Sequence, residues 1–335
     1  GFRRWLRSLE CHRLCLLIAG LRRRSPAGQQ LAAVLGQVAA FLGPPEGVAV
    51  GDENGSLRIF RADTGDLLQE LPPSGSGSAG ARISALACSP DGCRLAAGSF
   101  DWRLRLLAPE AAAASATMLL WETRLPASVW SLAFAPCGGR LAAGCGFGCC
   151  CVVGAADGAL LQEVRPTRGF GAVCAVAYLL CGRRVAAGGS DDVLRIIDGD
   201  AGSVLEEKRL TGMVLSVAAA PDGRSLAAGC RNGHLHLLAL DAGVAVGDFA
   251  VSKAPIRSVA YAVGSRTLAA GDADGCLRSI DVATGAVLHS VALLASIQSL
   301  AYSRHGDTLI ILTARDLRGF QVASQANWTD TAVAE

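Results

Sequence analysis

The chain has 335 residues, of which 51% are hydrophobic, with 40 glycines, 13 cysteines and a net charge of +2. That much apolar surface excludes a disordered chain, and glycine this abundant without a collagen period marks many turns between short elements. An odd cysteine count in a chain this long excludes a small disulfide scaffold and points to a reducing compartment. The apolar runs are all broken before the ~20 residues a membrane helix needs, so no membrane span is expected.

Residues 1–24, "GFRRWLRSLECHRLCLLIAGLRRR", carry seven arginines and one acid, Glu10, which leaves 24 basic and 28 acidic residues for the rest. A mildly acidic body has no long-range attraction for phosphate backbones, so no nucleic acid is expected as its partner. Residues 1–28 have two readings. They resemble an organelle transit segment, being Arg-rich and acid-poor around "LCLLIAGL", or they are the end of a preceding region of a longer protein.

From residue 29 a phrase recurs: "VAVGDENGSLRIF" from Val48, "LAAGSFDWRLRLL" from Leu95, "LAAGCGFGCCCVV" from Leu141, "VAAGGSDDVLRII" from Val185, "LAAGCRNGHLHLL" from Leu226 and "LAAGDADGCLRSI" from Leu268. A degraded copy, "IILTARDLRGF", starts at Ile310. The phrase glycines are Gly51, Gly98, Gly144, Gly188, Gly229 and Gly271, with Thr313 in the seventh place, and the spacing is 41 to 47 residues. Upstream of each glycine from the second on lies a short apolar segment: "ISALAC", "VWSLAF", "VCAVAY", "VLSVAA", "IRSVAY" and "IQSLAY". Turns such as "SPDG" (Ser89–Gly92) and "APDG" (Ala220–Gly223) join the two as a hairpin, with Pro presetting φ and Gly accepting a positive one. A polar turn then leads to a third strand such as "SLRIF", and a turn such as "ADTGD" or "VATGA" to a fourth. Seven units of this kind predict an all-β fold, a seven-bladed β-propeller of four-stranded antiparallel blades, in which radial closure protects the strand edges.

"AAGGSDDVLRIID" and "AAGDADGCLRSID" are similar to the third-strand pattern of the WD-repeat family, down to the closing Asp198 and Asp281. The resemblance covers residues 29–323 and leaves 324–335 as a C-terminal tail. Two family features are missing. Ile197 and Ile280 stand where the family has Trp, and the Gly-His pair before the first strand is absent. Those groups form a hydrogen-bond network in the family, so these blades are expected to rest more on apolar packing. Residues Gln29–Val34 are expected to supply the outer strand of the last blade and lock the ring.

Candidate chemistry is sparse. Cys145 falls in a turn, and Cys149, Cys150 and Cys151 fall in a strand. Neighbouring strand residues face opposite ways, so three adjacent cysteines cannot converge on one ion; buried, reduced thiols are the expectation. His234 and His236 share a strand face, read as a partly exposed one rather than a metal site. The sequon "NWT" (Asn327–Thr329) bears only on a secreted protein. No catalytic, cofactor or metal residue is assigned. The "DTG" and "VATG" turns resemble those of quinone-cofactor dehydrogenase propellers but lack the Trp that follows there. "LRGF" (Leu317–Phe320) resembles the paired-arginine motif of phosphoinositide-binding propellers but has one Arg. Both stand as alternatives.

The resemblance implies a non-catalytic scaffold for protein–protein interaction, a monomeric propeller within a larger complex, in the cytoplasm or nucleus unless residues 1–28 direct organelle import. In the family the first strands start at the narrow face. The second residue of each first strand varies while its neighbours repeat: Ser84, Trp130, Cys174, Leu215, Arg257 and Gln298. The turn after the glycine phrase adds Phe100, Trp102, Phe147 and Arg231. Trp130, Arg257, Leu215, Gln298, Phe100, Trp102, Phe147 and Arg231 are therefore the expected protein-binding residues, aromatic residues and Arg being the types that dominate binding energy. The alternative is that Trp130 and Trp102 fill gaps between blades.

Overall fold

The computed structural model describes residues 38–42, 47–52, 54–61, 67–71, 82–108, 118–165, 171–240, 245–293, 295–302, 308–313, 317–323 and 327–328. These form seven four-stranded antiparallel sheets, each with its strands in chain order. The sheets span residues 38–71, 83–124, 129–164, 173–209, 214–250, 256–292 and 297–328, here blades 1 to 7. Their first strands are Val38–Leu42, Ile83–Cys88, Val129–Phe134, Val173–Tyr178, Val214–Ala219, Ile256–Tyr261 and Ile297–Tyr302. Each lies beside the first strand of the next blade, and Val38–Leu42 also touches Ile297–Tyr302. This is the propeller plan that the repeat predicts.

Burial changes across a blade. Second strands such as Leu95–Ser99 are buried at every residue, because neighbouring blades cover both faces of a middle strand and remove the need for alternation. The fourth strand Ser203–Arg209 is largely exposed and carries the charge that keeps an outer edge from pairing with other chains.

The phrase glycine has a steric cause. A Cβ on Gly188 would lie 2.3 Å from Cγ1 of Val214, and one on Gly98 2.4 Å from Cγ1 of Val129. Ile83, Ile256 and Ile297 sit in the same way on Gly51, Gly229 and Gly271. Each of blades 2 to 7 thus docks the β-branched first residue of its inner strand onto the bare backbone of the blade before it. Hydrogen bonds reinforce three junctions: Ser131 Oγ accepts from the Val176 N–H at 3.1 Å, Ser216 Oγ from Val259 at 3.1 Å and Ser258 Oγ from Leu300 at 2.9 Å. These serines satisfy N–H groups that the blade's own ladder leaves unpaired.

The blades do not rest on apolar packing as far as the missing family residues led one to expect. Arg58, Arg105 and Arg195 of the third strands stand directly opposite Glu70, Glu122 and Glu207 of the fourth, and each makes the ion pair, at 2.7, 2.9 and 2.9 Å. In blade 6 the buried Asp272 accepts from Ser252 Oγ and from Arg278, both at 2.6 Å. Asp198 and Asp281 instead cap the turn before the fourth strand, accepting from Asp200 and Ala201 and from Thr284.

In blade 7, Asn327–Trp328 pairs with Val322 and Ala323 of the third strand, so a short strand lies in the stretch read as a tail. The expected closing strand at Gln29–Val34, and residues 1–28, lie outside the described residues.

Candidate functional site

In blades 2 to 7 the ladder between first and second strands skips one residue. Gly98 pairs with Ala85 and Ser99 with Ile83, and the skip recurs in every one of these blades. The skipped residues are Ser84, Trp130, Cys174, Leu215, Arg257 and Gln298. A β-bulge of this kind frees one residue from the ladder and re-aims its side chain. The variable slot of the sequence is therefore a bulge slot, and its variation reflects release from pairing.

In an antiparallel blade the start of the first strand, the turn between second and third strands and the end of the fourth strand share one end of the molecule. At that end, in blades 1, 5 and 6, the turn places glycine in the left-handed region, with φ of 86° at Gly55, 83° at Gly233 and 86° at Gly275. Blade 2 places Trp102 in that slot at φ 74°, and blade 3 holds Phe147 at φ 56° beside Gly148. A bulky residue there costs about 1–2 kcal/mol relative to an unstrained one. Both are exposed, Phe147 at 61% and Trp102 at 37%, as is the bulged Trp130 at 42%.

The structure joins these residues in two groups. Phe100 meets Trp130 edge-to-face, with ring centroids 4.8 Å apart, and a Cβ on Gly146, the residue before Phe147, would lie 3.8 Å from Trp130 Nε1. Arg257 donates to the Gln298 side chain at 2.9 Å across blades 6 and 7. Leu215 and Arg231 belong to blade 5, where the Arg231 N–H donates to the Met213 carbonyl. Sequence reasoning missed two arginines. Arg82 lies over the Phe100 ring at 5.3 Å and Arg124 over the Trp102 ring at 5.2 Å. Their signal in the sequence was their place, one residue before a first strand and at the last residue of a fourth.

Residues 66–106 match the family model described as "WD domain, G-beta repeat". The chain carries a WD repeat. No curated protein matches the chain. The matched WD segment begins at the fourth strand of blade 1, Leu67–Leu71, and ends in the third strand of blade 2, Arg103–Ala108, so it straddles a blade junction and contains Phe100 and Trp102. The other sheets have the same four-stranded antiparallel order.

Blade 3 replaces a salt bridge of other blades by thiols. Cys145 takes the slot of Asp52 and Asp272, at the end of the second strand (Arg140–Cys145) rather than in the turn, and Cys151 takes that of Arg58 and Arg278. Cys149 and Cys151 share a face as expected, with their sulfurs 3.5 Å apart. Hydrogen bonding among these thiols, Cys151 to Cys149 and Cys145 to Cys151, together with burial, holds Cys149 and Cys151 far above the usual thiol range; burial pushes Cys150, on the other face, up to about 12. They pack as protonated thiols rather than as nucleophiles. Glu163, opposite Cys151, pairs instead with Arg165, one residue past the end of its strand Leu160–Val164.

In blade 5 the equivalent slot holds His236, buried and bonded through Nε2 to Thr211 Oγ1 at 3.0 Å. The shared face is partly exposed, as the sequence led one to expect: His236 is buried, while His234 is half-buried and binds Asp248 at 2.7 Å. Leu317–Phe320 lies in the third strand of blade 7, Leu317–Ala323, and its side chains lie outside the described residues.

Proposed function

We propose that this WD-repeat chain is a non-catalytic scaffold that binds a protein partner at the end of the propeller where the first strands begin, with the aromatic sector of blades 2 and 3 as the anchor. One observation carries this reading: Trp102 is exposed and held in left-handed backbone where blades 1, 3, 5 and 6 place glycine, and Phe147, exposed too, is held in left-handed backbone one position earlier, beside Gly148. Folding alone favours glycine there, so the aromatic side chains are retained for something outside the blade. Trp130 is released from its ladder beside them, and clustered aromatic residues are the usual source of interface energy. Arg257, Gln298, Leu215 and Arg231 extend the same end around blades 5 to 7 as a rim.

The test is recovery of protein partners from one cell lysate on immobilised wild-type chain and on a Trp130→Ala/Phe147→Ala variant. We expect one reproducible set of proteins to be depleted on the variant, corresponding to a loss of at least about 2 kcal/mol, or about thirtyfold in affinity, with the melting temperature preserved. Equal recovery on a folded variant rejects the site.

A further inference from the structure

We infer that the aromatic sector takes an acidic, extended segment of its protein partner, with Asp or Glu side chains on either side of an apolar anchor. This rests on the proposed binding end and adds the chemistry of the occupant. Arg82 and Arg124 each lie over an exposed or half-exposed ring, Phe100 and Trp102, and among the described residues neither has a carboxylate within ion-pair distance. Among the described acids of these two blades, Asp91 pairs with Arg94, Asp101 with Arg103, Glu122 with Arg103 and Arg105, and Glu163 with Arg165, while Asp157, in the turn before the fourth strand of blade 3, lies at the opposite end and accepts from the Ala159 N–H. A guanidinium over a ring face keeps N–H donors that match a carboxylate in a bidentate pair. The ring contact also restricts the side chain in advance, which lowers the ordering cost of binding.

Charge around the same end agrees. Arg231 and Lys253 also lack an ion-pair partner there among the described residues, and Arg257 spends its bond on the neutral Gln298. Of the unpaired acids of this end, Asp192 lies in blade 4, beside blade 3, and Asp274 in blade 6. Arginines outside any ion pair stand at the opposite end as well, Arg184, Arg224 and Arg266 among the described residues, so what sets this end apart is the exposed rings beneath Arg82 and Arg124. Phe100 and Trp130 meet at an interplanar angle of 75°, an edge-on contact that presents apolar surface but not the parallel platforms on which bases stack.

A random 12-residue peptide library displayed on phage is selected against the full chain, and the enriched peptides are synthesised and measured by fluorescence anisotropy. We expect net acidic sequences with a Leu or aromatic residue between acids. Their affinity should fall about tenfold or more on Arg82→Ala/Arg124→Ala, as on salt addition. It should fall less on Arg82→Lys/Arg124→Lys, which keeps charge without the fork, and stay unchanged on Arg224→Ala at the opposite end. Enrichment of neutral or basic peptides, no enrichment, indifference to the two arginines, or tighter binding of a single-stranded oligouridine than of any peptide overturns the inference. If Trp130→Ala/Phe147→Ala depletes lysate proteins while acidic preference is absent, the inference fails and the binding end stands. If that variant depletes nothing, the binding end itself falls.

Discussion

Trp102 holds φ at 74° where Asp192 stands in blade 4 and glycine in blades 1, 5 and 6. Asn tolerates that region through its short polar side chain, whereas a β-branched residue is penalised in it. Trp102→Asn is therefore expected to leave the melting temperature equal to or above wild type, and Trp102→Val to lower stability by about 1–2 kcal/mol, as read by thermal unfolding; a loss on Trp102→Asn as large as on Trp102→Val would show that the ring is structural. His236 is a second residue-scale case. Burial is the main cause that lowers its pKa below the ordinary 6.5, with Asp248 opposing and His234 and Lys208 adding to it. Between the folded and unfolded pKa values the unfolded chain binds more protons, so stability rises with pH through the window just below 6.5 and is lost as pH falls. The urea midpoint should climb from pH 5 to 7, and His236→Gln should flatten that climb.

At the scale of the strand, two constraints meet at each of the six junctions from blade 1 to blade 7 along the chain. The second strand is covered on both faces and must carry a glycine where the next blade's Ile or Val docks, and the first strand must bulge one residue after that docking residue. Val214 and Gly188 form one such contact, with a virtual Cβ 2.3 Å from a stiff methyl. Gly188→Ala is expected to cost about 2–3 kcal/mol through overpacking. Trimming the partner should recover part of it, so the Gly188→Ala/Val214→Ala double variant should be more stable than the sum of the single losses predicts, in a double-mutant cycle by urea denaturation. Additive losses would mean that the two residues do not share one contact.

Across the whole molecule, fourth strands reach forward to the next blade. Trp121 Nε1 of blade 2 donates to the Ala155 carbonyl of blade 3 at 3.1 Å, and its ring lies against Gly158. Gln162 donates to the Asp200 carbonyl at 2.8 Å from blade 3 to blade 4, and Phe249 of blade 5 packs on Gly285 of blade 6. Such a chain has stability that sums over neighbour junctions. Trp121→Ala removes one junction's ring and its hydrogen bond and should cost about 2–3 kcal/mol, with the denaturant slope falling if blades 2 and 3 then unfold apart from the rest. A variant that melts like wild type would show that this junction is held by the inner strands alone.

The repeat, the strand count per blade and the hairpin turns were legible in the sequence because they follow from local causes: β-branched segments, the φ demands of Pro and Gly, and a period of 41 to 47 residues. The position of the variable slot was legible too, and so were Trp130, Phe100, Trp102 and Phe147 as unusual occupants. The polar layer was not, since Arg58, Arg105 and Arg195 acquire their role by cross-strand register with Glu70, Glu122 and Glu207, residues 12 or 17 positions away. Nor was the pairing of Arg82 with Phe100 and Arg124 with Trp102, which depends on where one strand ends relative to the turn of another. Sequence by itself determined what each blade is, because a blade is built from neighbours in the chain; the tertiary structure alone decided which side chains meet at its end, because those meetings are made between strands and between blades.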